Sequence, residues 1–204
     1  MTGSADRHRH WDGVYRSKPA DDLSWFQPEA TTSLALVDAL DVGPDVGVVD
    51  VGAGASPFLA ALGRRGFTDL TAVDVSAAAL DALATTAAAE DVPVTCVTAD
   101  VTAWVPGRTF GLWHDRAVLH FLVDDDDRSA YLDTLHRAVP EGAVVLGAFA
   151  ADGPEQCSGL PVRRYDPEEL LGLLDGFAAV ATRHEVHHTP WGAPQSFTWV
   201  AARR

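Results

Sequence analysis

The 204-residue chain is long for a minimal domain and short for two, and its 47% apolar content is enough for one sizeable core. Fifteen Lys and Arg against 29 Asp and Glu leave a formal net charge of −14 with no basic stripe, which argues against a nucleic-acid partner. No apolar run reaches membrane-span length, Arg7, His8, Arg9 and His10 interrupt what a signal peptide would keep apolar, and Cys96 and Cys157 support neither a disulfide framework nor a zinc site; a cytoplasmic protein without a metal is expected.

Residues 1–27 alternate polar and aromatic positions, and Pro28 then opens a helix carrying Leu34, Leu36, Val37 and Leu40 toward a sheet. A strand over 46–51, a helix over 56–65, a strand over 69–74, a helix over 76–90 and a strand over 92–98 follow in alternation. Phe110 to His114 reads as a fourth strand, and the helix from Asp124 to Val139 starts on acids that suit its dipole. Gly142 to Phe149 is a fifth strand, Ala150 to Arg164 a loop, and Asp166-Pro167-Glu168-Glu169 the cap of a further helix. Phe177 to His188 and Gln195 to Ala202 are strand-like runs joined at Thr189 to Pro194, a hairpin signal. The fold class is therefore α/β, a doubly wound, mostly parallel sheet ending in a β-hairpin. The acids Asp124 to Asp127 are read as a solvated helix start.

Three of these strands run into acids. Val48-Val49-Asp50-Val51-Gly52-Ala53-Gly54 ends an apolar strand on a carboxylate and enters a turn whose glycines can adopt positive φ and bring backbone close to a ligand. No Lys-Ser or Lys-Thr follows, as a phosphate-cradling loop would require; Asp50 instead offers charge to a cationic amino group. Asp74 ends the second strand 20 residues after Gly54, the spacing for a carboxylate that grips ribose hydroxyls, and Asp100 follows the third strand where an adenine amino group would need an acceptor. All three lie along the carboxyl edge of one parallel sheet, where open α/β folds bind ligands.

These residues resemble the first motif of the class I S-adenosylmethionine-dependent methyltransferases, an acid followed by Gly-x-Gly, and the resemblance covers nearly the whole chain. It implies a seven-stranded sheet, S-adenosylmethionine as cofactor, and Asp50, Gly52, Gly54, Asp74, Val75, Asp100, Val101 and Asp115 among the residues that bind it. Ser56 stands where many members have a third glycine, a departure shared with some lysine methyltransferases. His10-Trp11-Asp12-Gly13-Val14-Tyr15 and Ser24-Trp25-Phe26-Gln27 look like the aromatic N-terminal segment of thiopurine methyltransferases and related enzymes, which implies that residues 1–27 form a lid placing Trp11, Tyr15 and Trp25 over the cofactor, ahead of a methyltransferase domain at 28–204. Trp113-His114-Asp115-Arg116-Ala117-Val118-Leu119-His120 resembles the same group after its fourth strand. Arg116 and His120 are the expected catalytic pair, Arg116 holding an anion or carbonyl and His120 accepting a proton or else packing. Ser158, Trp191 and Gln195 are expected above the same sheet edge.

A nicotinamide-dependent dehydrogenase also uses Gly-x-Gly and a later acid, but its third glycine would fall at Pro57 and the chain leaves little room for a substrate domain. The expected function is methyl transfer to a small-molecule thiol, amine or hydroxyl, with a protein lysine methyltransferase next and a non-catalytic nucleoside-binding module less favoured. Oligomeric state is not readable from the residues.

Overall fold

The computed structural model describes residues 3–204, so the first two residues of the expected lid segment lie outside the described residues. In chain order the elements are α1 (Ser4–Ser17), a 3-10 turn (Ala20–Asp22), α2 (Thr31–Ala39), β1 (Val48–Val51), α3 (Phe58–Arg64), β2 (Leu70–Asp74), α4 (Ala77–Ala89), β3 (Thr95–Thr98) and β4 (Leu112–Arg116). A second 3-10 turn (Leu119–Phe121) leads to α5 (Asp125–Ala138), β5 (Ala143–Phe149), β6 (Gln156–Cys157), β7 (Leu160–Pro161), α6 (Pro167–Gly172), β8 (Ala178–His188) and β9 (Pro194–Arg203).

The strands form one seven-stranded sheet in the order β3-β2-β1-β4-β5-β9-β8, parallel except for β9, which is antiparallel to both β5 and β8. β1, β2 and β5 are buried along their whole length because helices cover both faces, so apolar side chains are needed on both sides of the pleat. On one face α2, α3 and α4 pack Leu36, Phe58, Leu62 and Leu83 onto Val48, Leu112 and Trp199; on the other, α5 and α6 pack Tyr131, Leu135 and Leu170 onto Val49, Trp113 and Val200.

Local chemistry fixes the helix ends. Ser76 caps α4 by accepting the Ala79 N–H, and α6 starts with Pro167 inside a reciprocal Asp166/Glu169 capping box. α5 opens on Asp125, Asp126 and Asp127 and closes on His136 and Arg137, both placements favourable to the helix dipole.

The structure differs from the sequence expectation at several places. The helix expected from Pro28 starts at Thr31, because Ala30 is held outside helical geometry and buried in the core. The third strand starts at Thr95 rather than 92. The expected loop Ala150 to Arg164 contains the short β6–β7 hairpin, whose two-residue strands are too brief to leave a period-2 pattern. The fourth strand runs on through Arg116 instead of ending at His114, which has consequences for which side chains reach the ligand edge.

Candidate active site

β1 lies between β2 and β4, so the sheet order reverses there and the carboxyl ends of β1 and β4 diverge into a crevice. Gly52 and Gly54 both sit at positive φ, 61° and 54°. A Cβ on Gly52 would collide with the Val118 side chain from the loop after β4, and one on Gly54 would collide with the Tyr15 hydroxyl. The turn thus needs glycine for backbone geometry and for close approach at once.

The three acids are present along this edge in different states. Asp50 Oδ1 lies 2.7 Å from His114 Nδ1, whose Nε2 is 2.9 Å from the Ser33 hydroxyl, and the Phe58 ring stacks on that imidazole at 3.9 Å. Asp50 Oδ2 is buried and has no partner among the described residues. Asp74 accepts the Gly54 and Ser76 backbone N–H groups, each at 2.8 Å, and burial pushes its pKa up to about 6. At Asp100 burial acts to raise the pKa, but hydrogen bonds from Arg7 and Thr102 outweigh it and hold the carboxyl below its ordinary value.

One wall of the crevice is α1, which has no fully buried residue of its own and is docked by polar contacts and by the half-buried Trp11 and Tyr15 rings. Arg7 donates from Nε to Asp100 and from Nη1 to Asp127, at 2.8 and 2.9 Å. His8 Nδ1 is 2.6 Å from the Val75 carbonyl oxygen. Asp12 accepts the Ser76 hydroxyl and the Ala78 N–H, at 3.0 and 3.1 Å, so a side chain of α1 helps cap α4. Behind these, Trp11 meets Phe121 and Trp25 edge to face, and Trp25 Nε1 donates to the Tyr15 hydroxyl at 3.3 Å.

Two adjoining cavities result. The larger encloses about 870 Å³ including its open mouth and is lined by Arg7, Trp11, Tyr15, Trp25, Gly52, Asp74, Val75, Asp100, Val101, Arg116 and His120, with Phe121, Phe149, Cys157, Gln195 and Phe197 on the far side. The smaller lies against Asp50, Gly52, Gly54, Ser56, Tyr15, Trp25 and Arg116. Trp11, Tyr15, Trp25, Asp50, Gly52, Gly54, Asp74, Val75, Asp100, Val101, Arg116, His120 and Gln195 all line one or both of these cavities.

Asp115 does not join them. Because β4 continues through Arg116, side chains alternate: His114 and Arg116 face the α2 and α3 side, and Asp115 faces α5. There it is fully buried, accepts the Tyr131 hydroxyl at 2.6 Å and the Val118 and Leu119 N–H groups, and is raised by burial to about 6; it braces the loop after β4 rather than a ligand. Ser158 and Trp191 also lie outside both cavities, and Trp191 is 64% exposed.

At the Phe149 end of the larger cavity three side chains keep polar groups without a partner among the described residues. Arg116 donates from Nη1 to the Trp25 carbonyl oxygen at 2.9 Å and lies 4.9 Å over the Phe197 ring, while its Nε and Nη2 are buried without partners. Burial lowers its pKa to about 10, which leaves it charged at neutral pH. His120 Nδ1 accepts the Phe149 N–H at 3.2 Å, so in the neutral ring the proton sits on Nε2, which is buried and unpartnered. Burial, then the Arg116 charge, pulls the His120 pKa down to about 3. Gln195 Oε1 is the third orphan.

Sequence reasoning missed Arg7, His114 and the Phe149, Phe197 and Cys157 contribution. The β1–β4 register, Asp50 opposite His114, is the one signal that links His114 to the motif, and it requires knowing that these strands are neighbours. Among the described residues no group of His, Cys, Asp and Glu is placed to hold a metal ion, and no helix is long and apolar enough to cross a membrane.

Residues 48–142 match the family described as "Methyltransferase domain". Over 80 residues the chain is 32% identical to EEF1A lysine methyltransferase 2 of Danio rerio, a match covering 35% of this chain and 34% of that protein, so the chain spans about a third of that relative's length. Among solved structures, the 1,6-didemethyltoxoflavin-N1-methyltransferase of Burkholderia thailandensis, with 1,6-didemethyltoxoflavin and S-adenosylhomocysteine bound, aligns over 100% of this chain and 91% of its own with 22% identity and a TM-score of 0.73. The N-methyltransferase NodS of Bradyrhizobium japonicum, in complex with S-adenosylhomocysteine, aligns over 98% and 99% with 14% identity and a TM-score of 0.68. Residues 48–142 thus match a methyltransferase domain, and the chain as a whole has the fold of the class I methyltransferases.

Proposed function

We propose that the chain transfers the methyl group of S-adenosylmethionine to a small molecule held in the larger cavity, with α1 acting as the lid. The observation that carries this reading is the position of α1, which closes the crevice beside the Gly-x-Gly turn with Arg7, Trp11 and Tyr15 and leaves a pocket of side-chain walls rather than an open groove. Supporting it, a relative of the same fold is solved with a compact molecule and S-adenosylhomocysteine bound together.

The residues fit the cofactor. The orphaned Asp50 Oδ2 suits a ligand ammonium, the Gly52–Gly54 turn brings backbone to the cavity at two positions where a Cβ would collide with Val118 or Tyr15, and Asp74 keeps lone pairs free for ribose hydroxyls. Asp100, Val75 and Val101 would border the adenine. When bound, the cofactor supplies an electrophilic methyl on a sulfonium, so the protein's work is mostly orientation and exclusion of water. Trp11, Trp25 and Phe121 provide the apolar cover. Arg116 and His120, both on the acceptor side, offer hydrogen-bond donors there; His120 is placed to orient an acceptor through Nε2–H rather than to take its proton.

The second reading, a protein lysine methyltransferase, draws on the 32% identity to the Danio rerio enzyme over 80 residues. Calorimetry with S-adenosylhomocysteine, followed by a screen of thiol, hydroxyl, carboxyl and amine acceptors and of basic proteins for cofactor turnover, tests both. Binding with turnover on small acceptors alone supports the proposal; turnover only on a protein supports the second reading; binding of a nicotinamide dinucleotide and not of S-adenosylhomocysteine removes both.

A further inference from the structure

We infer that the methyl acceptor is a flat, negatively charged molecule whose anionic group sits between Arg116 and His120 and whose ring lies against Phe149 and Phe197. The inference rests on the small-molecule reading above.

Arg116 is the starting point. A guanidinium buried with two unpartnered N–H positions is an expensive arrangement unless a ligand completes it. Among the described residues it makes no ion pair: the carboxylate with the strongest electrostatic influence on it, Glu185, spends its oxygens on Trp199 Nε1 at 2.7 Å and Gln27 Nε2 at 3.3 Å. The protein thus keeps a cation in its interior without neutralising it. His120 adds a neutral donor, because the Phe149 N–H occupies Nδ1 and leaves Nε2–H unpartnered. Two donors of this kind, one charged, match the lone pairs of a carboxylate, enolate or thiolate.

The walls set the shape. Phe197 lies under the guanidinium at 4.9 Å and 4.9 Å from the Phe149 ring, and His120 is 4.5 Å from Phe149, so the anion site is continuous with an aromatic surface. Flat rings gain both area and preferred stacking geometry there. Gln195 Oε1, unpartnered on the same wall, accepts one N–H or O–H from the ligand and gives it a single orientation. A lysine ammonium would meet like charge from Arg116, and the unpartnered carboxylate oxygen nearby, Asp50 Oδ2, lies in the smaller cavity and is assigned above to the cofactor's ammonium.

The test is calorimetric, on the full chain saturated with S-adenosylhomocysteine, with three probes that share one ring: 2-naphthoate, 2-naphthamide and 2-naphthylmethylammonium. Naphthoate is expected to bind at least about tenfold tighter than the amide, as a hydrogen bond to a charged group allows, with the ammonium weakest. Arg116→Gln should bring naphthoate down to the level of the amide while the amide itself changes little. If that variant does not fold, the ranking of the three probes on the unaltered protein still decides. Equal affinity for acid and amide, tightest binding by the ammonium, or binding by none of the three overturns the inference. Failure of the unaltered protein to bind S-adenosylhomocysteine would instead overturn the methyltransferase reading beneath it.

Discussion

Asp74 combines burial, two backbone donors and a pKa near 6, so its charge state is within reach of ordinary buffers. If its carboxylate grips the ribose, ligand binding favours the ionised form, and S-adenosylhomocysteine affinity should fall as pH drops through about 6. Titration calorimetry from pH 5 to 8 checks the sign: affinity rising toward low pH would remove Asp74 from the ribose. Asp74→Ala should weaken binding by about 1.5 to 3 kcal/mol, the range for hydrogen bonds to a charged group. Asp50 depends on its neighbour. His114→Phe would leave both carboxylate oxygens without a partner, so unfolding free energy should drop by about 1 to 3 kcal/mol in denaturant titrations. The same variant should bind S-adenosylhomocysteine more weakly yet retain 5′-methylthioadenosine, which lacks the amino-acid part. Parallel losses for both ligands would show that His114 acts on stability alone.

At the level of elements, α1 is separable because none of its residues is fully buried, whereas Leu23 beyond it belongs to the core. Removing residues 1–17 should therefore leave a folded protein whose Tm falls modestly, at about 2 to 4 °C per kcal/mol lost for a domain of this size, while cofactor affinity drops at least tenfold. Unchanged affinity would make α1 packing only. Much of this was legible in the chain itself: Asp50 and Asp74 at the carboxyl ends of their strands, and the glycine turn, are announced by local spacing, and the closing hairpin by its turn residues. What escaped depends on tertiary context. Whether β4 stops at His114 or runs on to Arg116 is decided by its ladder with β5, where Arg116 pairs with Gly147, and that two-residue extension turned Asp115 toward α5. Arg7 reads as one more solvated cation until α1 is laid on Asp100 and Asp127. Phe149 and Phe197 meet in the site because β9 pairs with β5 and sets the two residues opposite each other.

For the molecule as a whole, a net charge of −14 acts on ligands before contact. S-adenosylmethionine carries one more positive charge than S-adenosylhomocysteine, so its association rate should fall more steeply with salt, over the range where the screening length shrinks from about 30 to 10 Å. Stopped-flow tryptophan fluorescence, with Trp11 and Trp25 beside the cavity, measures both rates. Identical salt dependence would mean the charge near the mouth is not the net charge. The docking of α1 has a further, temporal consequence. Both products would share a chamber whose wall is tied down by Arg7, His8 and Asp12, so the demethylated cofactor could leave only when that helix detaches. Detachment breaks the Arg7 ion pairs and lifts the half-buried Trp11 and Tyr15 rings off Phe121 and Trp25, and its ionic part makes it sensitive to salt. Pre-steady-state mixing should then show one rapid equivalent of methylated product per chain followed by slower turnover, and added salt should quicken the slow phase while leaving the rapid amplitude at one.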